Sequence, residues 1–493
     1  MTGQSAVNHS QALRRVLVAN RGEIAVRVIT TCRRLGIETV LTASDADAYS
    51  LPARLADQVI RIGPASATAS YLNVDAVVGA AVAAGADAIH PGYGFLSENA
   101  RLARACAAAG IVFIGPDART LEAAGDKLAA RAHATAAGLP VLPGGDIELA
   151  GGDIEHSDPR IIALAKRIGY PVLVKAAGGG GGRGLRVVRE PAELGHAVSV
   201  ASAEAAAAFG DPRVYLERYV ERGRHVEVQL LGDGQRVIHL GDRDCSVQRR
   251  YQKLIEEAPA PDLGSDLRER LRAAAVALGV HLGYRGAGTV EFLLDTARGE
   301  FCFLEVNARI QVEHPVTEAI TGMDIVAEQL SIAEGRPLRL RQEDVTFAGH
   351  AIECRIIAED PDRDFRPSPG TITRAVFPAA TMYPGYGLVR GAADAAAGIG
   401  GSVRVDTHVQ ARSAVPAYYD SLLAKVIAHG GDRDGALAVL SGALDRCALD
   451  GVTTNVAMQR AIVADPEFRA GGVTTDYLAR YLAGREDGGA GRG

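Results

Sequence analysis

Five consecutive glycines, Gly178 to Gly182, stand between an apolar strand pattern, Pro171-Val-Leu-Val-Lys175, and a second short one, Leu185-Arg-Val-Val188; Arg183 and Gly184 complete the run. Glycine loses more backbone freedom on folding than any other residue. Such a run is therefore costly to order and useful where the backbone must turn sharply or approach a ligand. Gly179, Gly181 and Gly184 satisfy the letters of a G-x-G-x-x-G dinucleotide fingerprint. That motif works by aiming a helix N-terminus at a pyrophosphate, however, and here a strand pattern follows. No Gly-Lys-Ser/Thr follows the run either, so a Walker-type phosphate loop is excluded. What remains is a β-hairpin whose glycine tip can fold over phosphates and donate backbone N–H groups. A loose surface hairpin fits the same letters.

A second pattern lies further on. Residues 304–315, Leu-Glu-Val-Asn-Ala-Arg-Ile-Gln-Val-Glu-His-Pro, put Glu305, Asn307, Arg309, Gln311 and Glu313 at alternate positions with apolar residues between them. In an extended chain these five side chains share one face, a set able to hold a divalent metal and an anion. A half-exposed strand with its polar face in water shows the same alternation. This face, however, lacks the Lys, Thr and Ser usual at solvated strand positions, and it is entered from Phe301-Cys-Phe-Leu304, which reads as buried sheet. Carboxylates leaving a buried strand are usually paired or metal-bound. His314-Pro315 limits the strand, because proline lacks a ladder donor and restricts its predecessor. Glu305 and Asn307 then stand at the strand end, and Arg309, Gln311 and Glu313 on the turn after it.

Upstream, residues 15–20, a helical pattern to Arg34 and residues 39–44 read as strand, helix, strand. Patterns at 76–84, 88–90, 100–109 and 112–114 continue the alternation, which predicts a doubly wound parallel sheet to about residue 115. Such sheets place ligands beyond the carboxyl ends of their strands. The loops there, 20–23 and 90–99, are polar and carry glycine. Residues 144–159 read as an aperiodic surface insertion. From Tyr219 to Gly335, strands at 226–231, 236–240, 288–294 and 300–306 mix with a helix at 266–279; a last segment opens with His350-Ala-Ile-Glu-Cys-Arg355 and ends in Ala- and Leu-rich helices. The fold class is α/β, with an α+β central part.

At 493 residues the chain has length for about three domains. A net charge of −6 gives no basic footprint for nucleic acid. The six cysteines are scattered without a Cys-x-x-Cys and read as reduced core thiols. The polar first ten residues lack an apolar signal region, and no run of about 18 apolar residues occurs. A cytoplasmic protein without membrane contact is expected.

A glycine-loop hairpin preceded by a strand lysine, then Glu291-Phe-Leu-Leu and Glu305-Val-Asn307 more than 100 residues later, resembles the ATP-grasp fold. More narrowly, the chain resembles biotin carboxylases in Val18-Ala-Asn-Arg-Gly-Glu-Ile-Ala25, His90-Pro-Gly-Tyr-Gly-Phe-Leu-Ser-Glu-Asn99, Gly125-Asp-Lys127, Asp242-Arg-Asp-Cys-Ser-Val-Gln248, Arg285-Gly-Ala-Gly-Thr289, Asn307 to Thr317, Gly349 to Arg355 and Tyr418-Tyr-Asp-Ser421. The resemblance implies an N-terminal domain over 14–120, an ATP-grasp domain over 121–348 with a mobile glycine-rich lid at about 142–219, and a C-terminal domain over 349–483. Residues 484–493 read as a disordered tail.

The resemblance also assigns residues. Lys127, Lys175, Gly181, Gly182, Glu217, Arg218, Tyr219, Val220, His225 and Gln248 would surround ATP, with Glu291 and Glu305. Glu291, Glu305 and Asn307 would hold about two magnesium or manganese ions, hard cations that prefer oxygen ligands. Lys253, Arg309, Gln311 and the Val312 backbone would bind bicarbonate, and Glu313 would be its general base. Arg355 would stabilise the biotin enolate, with Tyr93 near the biotin. The implied partners are a biotin carboxyl carrier protein, carboxyltransferase subunits of an acyl-CoA carboxylase, and a second copy in a homodimer. No lysine of the sequence is flanked by methionines, so biotin is expected on a separate carrier.

Three departures from the family pattern stand out. Tyr251 replaces a common histidine, Ala308 replaces threonine, and residues 382–417 form a longer stretch than usual. The same motifs leave room for another ATP-grasp ligase, acting on a small amide or purine intermediate, or for a catalytically silent scaffold subunit.

Overall fold

The computed structural model describes residues 12–146, 159–177, 185–378 and 401–489. At the N-terminus, five parallel strands run in the order Gln58–Gly63, Glu38–Ser44, Arg15–Val18, Ala88–His90, Val112–Phe113. The order reverses between Arg15–Val18 and Ala88–His90, which is where a doubly wound sheet opens a ligand crevice. Asn20 joins the two loops leaving those strands, donating from Nδ2 to the carbonyls of Pro91 (2.7 Å) and Tyr93 (2.8 Å). Gly92, at φ +62°, permits this approach, since a Cβ there would come within 2.8 Å of Asn20 Nδ2. Helix Gly22–Arg34 buries Ile24, Ala25, Val28, Ile29 and Cys32 at helical spacing, with Glu23 in its first turn and Arg33 and Arg34 in its last, favourable to the helix dipole.

A second sheet has eight antiparallel strands, in the order Glu300–Asn307, Arg285–Asp295, Gly223–Asp233, Val237–Arg249, Gln252–Ala258, His350–Ile357, Leu422–Gly430, Gly401–Thr407. The sheet runs without interruption from the central part of the chain into the C-terminal part, through the pairing of Ile255 with Cys354. Side chains alternate across it. Val226, Val228 and Leu230 join Leu271, Ala275 and Leu278 of helix Ser265–His281 in one apolar core, while His225, Glu227 and Gln229 take the opposite face. At the other end, Ile352, Ile356 and Val426 pack with Leu437, Leu440 and Leu444 of helix Arg433–Asp445. Each such leucine contributes roughly 1.5–3 kcal/mol when fully buried. That apolar side offsets the cost of gathering charge on the other.

The third unit is a four-stranded antiparallel sheet, Gly144–Asp146, Val214–Arg218, Val172–Ala176, Arg186–Val188, covered by helices Pro159–Ile168 and Leu194–Phe209. The expected hairpin is present, with Val172 to Val174 paired to Val188 to Arg186. Residues 144–146 form a strand where an insertion is expected; 147–158 lie outside the described residues.

The polar alternation after Leu304 is not one strand. It ends at Asn307, and Pro315 sits in the first turn of helix His314–Thr321. Among the strands not read from the sequence are Gln58–Gly63, Val214–Arg218, Gln252–Ala258, Gly401–Thr407 and Leu422–Gly430. All six cysteines are free, and five are buried; Cys302 is half-buried rather than fully in the core. No helix among the described residues is long and apolar enough to cross a membrane.

Candidate active site

One cleft of about 1130 Å³ opens between the N-terminal loops, the small sheet and the charged face of the large sheet. Every described residue singled out from the sequence lines it: Tyr93, Lys127, Lys175, Glu217 to Val220, His225, Gln248, Lys253, Glu291, Glu305, Asn307, Arg309, Gln311, Val312, Glu313 and Arg355. Gly181 and Gly182 lie outside the described residues.

Strand register explains the clustering. Glu227 stands opposite Glu291, and Glu291 opposite Glu305, so three adjacent strands set a row of carboxylates across the sheet. The turn at Arg249–Gln252 brings Lys253 opposite Gln248. From there its ammonium reaches Glu227 Oε2 at 2.5 Å, Glu313 Oε1 at 2.7 Å and Glu291 Oε1 at 2.9 Å. Burial opposes that charge, but the three carboxylates outweigh it and raise the Lys253 pKa. His225 Nε2 lies 2.9 Å from Glu291 Oε2.

Glu313 is divided between two cations. Lys253 holds Oε1, and Arg355 donates to Oε2 at 2.9 Å. Burial raises the Glu313 pKa, yet Lys253, Arg355 and Arg243 together bring it well below the usual carboxylate range. Arg355 is itself shared, with Nε donating to Glu256 Oε1 at 2.6 Å.

The turn after Asn307 is anchored from the N-terminal unit. Glu98 accepts from Ala308 N (2.8 Å) and from Arg309 Nε (2.9 Å). Arg309 also donates to Gln311 Oε1 at 2.7 Å and to Asn307 Oδ1, and Gln311 Nε2 reaches Glu291 Oε1 at 3.2 Å. Ala308 is fully buried here, leaving little room for a larger side chain. Tyr251 is half-exposed on the cleft wall, and of the long stretch at 382–417 the part to residue 400 lies outside the described residues.

Toward the small sheet, Lys175 Nζ pairs with Glu217 Oε1 at 2.9 Å; burial lowers its pKa, but Glu217 wins and raises it. Lys127 begins helix Lys127–Ala136, which Asp126 caps. Burial lowers the Lys127 pKa, Glu305 opposing and Lys175 assisting.

Two tight donor groups exist among the described residues, His225 with Glu227 and Glu291, and Glu227 with Cys245 and Glu313. Arg243 and Lys253 take both Glu227 oxygens, and Lys253 and Arg355 take those of Glu313, while Glu291 keeps Oε2 beside His225 alone. Glu305 is different. Its carboxylate is half-buried at the cleft wall and accepts from Asn307 Nδ2 at 3.2 Å. An oxygen set of Glu291, Glu305 and Asn307 therefore suits a hard divalent ion completed by phosphate oxygens.

Glu227, Arg243, Glu256 and Glu98 were missed from the sequence. Arg243, fully buried, donates to Glu227 Oε1 (2.7 Å), Gln229, Thr317 and Thr289. The signal for Glu227 was available, since His225, Glu227 and Gln229 alternate with Val226, Val228 and Leu230 just as the 305–313 residues do.

A glycine hairpin and paired lysines facing a carboxylate row define an ATP-dependent ligase of the ATP-grasp class. Three family models match consecutive parts of the chain: biotin carboxylase N-terminal domain (12–121), carbamoyl-phosphate synthase L chain ATP-binding domain (126–341) and biotin carboxylase C-terminal domain (353–480). The biotin carboxylase of Pseudomonas aeruginosa is 48% identical over 471 residues, covering 95% of this chain and 99% of that one. A Campylobacter jejuni biotin carboxylase solved with a nucleotide superposes with a TM-score of 0.87 at 42% identity, over 96% of this chain and all of that chain (100%). The biotin carboxylase domain dimer of Hydrogenobacter thermophilus 2-oxoglutarate carboxylase, solved with MgADP, ADP and bicarbonate, gives 0.86 at 43% identity, over 96% and 98%. The chain belongs to the biotin carboxylase family and is an ATP-dependent biotin carboxylase.

Proposed function

We propose that the chain carboxylates biotin presented by a biotin carboxyl carrier protein, in a homodimer that works with carboxyltransferase subunits of a cytoplasmic acyl-CoA carboxylase. The observation that carries the site assignment is Glu313, whose two carboxylate oxygens are split between Lys253 and Arg355 in the cleft that also holds Lys175.

ATP lies between the small sheet and the carboxylate row. Lys127 and Lys175 meet its phosphates, the tip with Gly181 and Gly182 closes over them, and Glu217 to Val220, His225 and Gln248 complete the pocket. Glu291, Glu305 and Asn307 would hold a divalent ion, which would supply neutralisation of the developing phosphate charge. Arg309 presents a planar fork to bicarbonate, with Gln311, Lys253 and the Val312 backbone. Bicarbonate gives Lys253 and Arg309 a second anion to pair with, which frees Glu313 to accept the bicarbonate proton. The resulting oxyanion attacks the γ-phosphorus, giving carboxyphosphate and ADP. Carboxyphosphate breaks down to CO₂ and phosphate, phosphate removes the proton from biotin N1, and the enolate attacks CO₂. Arg355 stands where that negative charge develops, near Tyr93.

The lid at about 142–219 is supported by an apolar cluster drawn wholly from residues between 161 and 216. None of the chain's lysines is flanked by methionines, so biotin comes from outside these 493 residues. The test is ADP release in the presence of ATP and a divalent metal. It should require bicarbonate and rise with free biotin. Turnover indifferent to biotin would instead favour an ATP-grasp ligase acting on an amide or purine substrate, and none at all a scaffold.

A further inference from the structure

Lys425 has no part in the chemistry above, yet it is fully buried (0% exposed) in strand Leu422–Gly430, directly opposite Arg355. Its ammonium donates to the carbonyl of Val312 at 2.8 Å. It also lies 3.1 Å from Glu23 Oε1 and 3.7 Å from Asp406 Oδ2. Burying an unpaired ammonium is costly, so this charge persists only because acids surround it. Glu23, Glu353 and Asp406 do so, and outweigh burial to keep Lys425 protonated. Glu23 has a second partner, because the same Oε1 accepts from the hydroxyl of Tyr93.

The two contacts belong to different substrates. The Val312 carbonyl is part of the peptide that leads into Glu313, so fixing it aims both the Val312 backbone and the base. Tyr93 lines the same cleft, at the end that the proposed function gives to biotin. Between them stands one ion pair, formed by a strand of the C-terminal part and the first turn of the N-terminal helix Gly22–Arg34.

We propose that Lys425 and Glu23 are positioning residues, a single buried pair that locks the Val312 peptide and the Tyr93 hydroxyl in register and thereby holds the bicarbonate site and the biotin pocket together. The inference rests on the proposed function and deepens it.

Steady-state kinetics with free biotin test it. Lys425→Met should raise the bicarbonate KM about 10-fold, as for the loss of a charge-assisted hydrogen bond, with the ATP KM changed less than about 2-fold. Glu23→Gln, which keeps the volume and an acceptor for Tyr93, should raise both the biotin and the bicarbonate KM while leaving ATP unmoved. If Lys425→Met does not fold, Glu23→Gln decides alone. The double variant should be no worse than Lys425→Met, since both act through one pair. Unmoved bicarbonate and biotin KM values in folded variants, or all three KM values rising together, overturn the inference. Wild-type enzyme without bicarbonate-dependent ADP release overturns the reaction as well; wild-type turnover with unmoved variants overturns the inference alone.

Discussion

Two lysines face each other across the cleft under opposite conditions. On the small sheet, Lys175 has one close carboxylate, Glu217, with Arg131 Nη1 3.9 Å from the other oxygen of that acid. On the large sheet, Lys253 has three, Glu227, Glu291 and Glu313, which in turn share Arg243 and Arg355. The Lys175 side, with Lys127 beside it, is left electropositive and suits a polyphosphate. The Lys253 side is close to neutral and leaves no cation without an anion. The small-sheet unit has its own apolar core and one close ion pair at the cleft, the arrangement on which the proposed lid rests. A network balanced across five strands cannot open without exposing buried charge, and so it serves as the fixed template against which the chemistry is aligned.

The contrast is most severely strained by removing the cations. Lys253→Met leaves Glu227, Glu291 and Glu313 with only Arg243, His225 and Arg355 against them and should cost about 3–5 kcal/mol, the usual loss for breaking a buried ion pair, visible as a lowered urea midpoint. Lys175→Met should cost less than half of that, since Glu217 keeps Arg131 nearby. Equal losses would erase the distinction between the two sides. Next in size is Glu313→Gln, which preserves shape but not basicity. Bicarbonate-dependent ADP release should fall by about 10²-fold or more with ATP binding intact, and near-normal turnover would remove Glu313 from the role of base.

How far the sequence foretold these two sides differs too. The parallel sheet, the glycine hairpin and the strand entering Glu305 follow local patterns, and each is found near its expected position. Strand Gln252–Ala258 does not. Its adjacent Glu256 and Glu257 break any two-residue alternation because both faces there are buried and charged, Glu256 against Arg355 and Glu257 against His350 and Arg433. Nor does any local pattern tie Glu98 to Arg309, 211 positions away. The row Glu227, Glu291, Glu305 needs strand register, which only the folded sheet supplies. The end of that strand was legible too, since His314-Pro315 limits it and the strand stops at Asn307, before helix His314–Thr321.

The nucleotide side can be tested without disturbing the network. Lys175→Gln should weaken ATP binding about 10-fold, by loss of one charge-assisted contact to phosphate, measured by calorimetry in the presence of magnesium. The bicarbonate KM should stay within about 2-fold, because Lys175 pairs with Glu217 and not with the three acids around Lys253. A parallel change in both would mean the two sides are coupled in charge as well as in space.

The smallest expected effect is on pH dependence, and it belongs to the large sheet alone. Burial raises the Glu256 pKa from 4.5 to about 7, although Arg355 opposes the shift. Between those values the folded protein keeps a proton that the unfolded chain has released. The contribution of Glu256 is therefore complete below pH 4.5 and is lost as pH rises through about 7. Urea midpoints measured from pH 5 to 8 should fall for the wild type across this interval, and Glu256→Gln should flatten that part of the slope. Lys175→Gln should leave it unchanged, as Lys175 pairs with Glu217 and not with Glu256. If the wild-type and Glu256→Gln profiles run parallel, Glu256 is ionised throughout, and the large-sheet network holds one more negative charge than its cations balance.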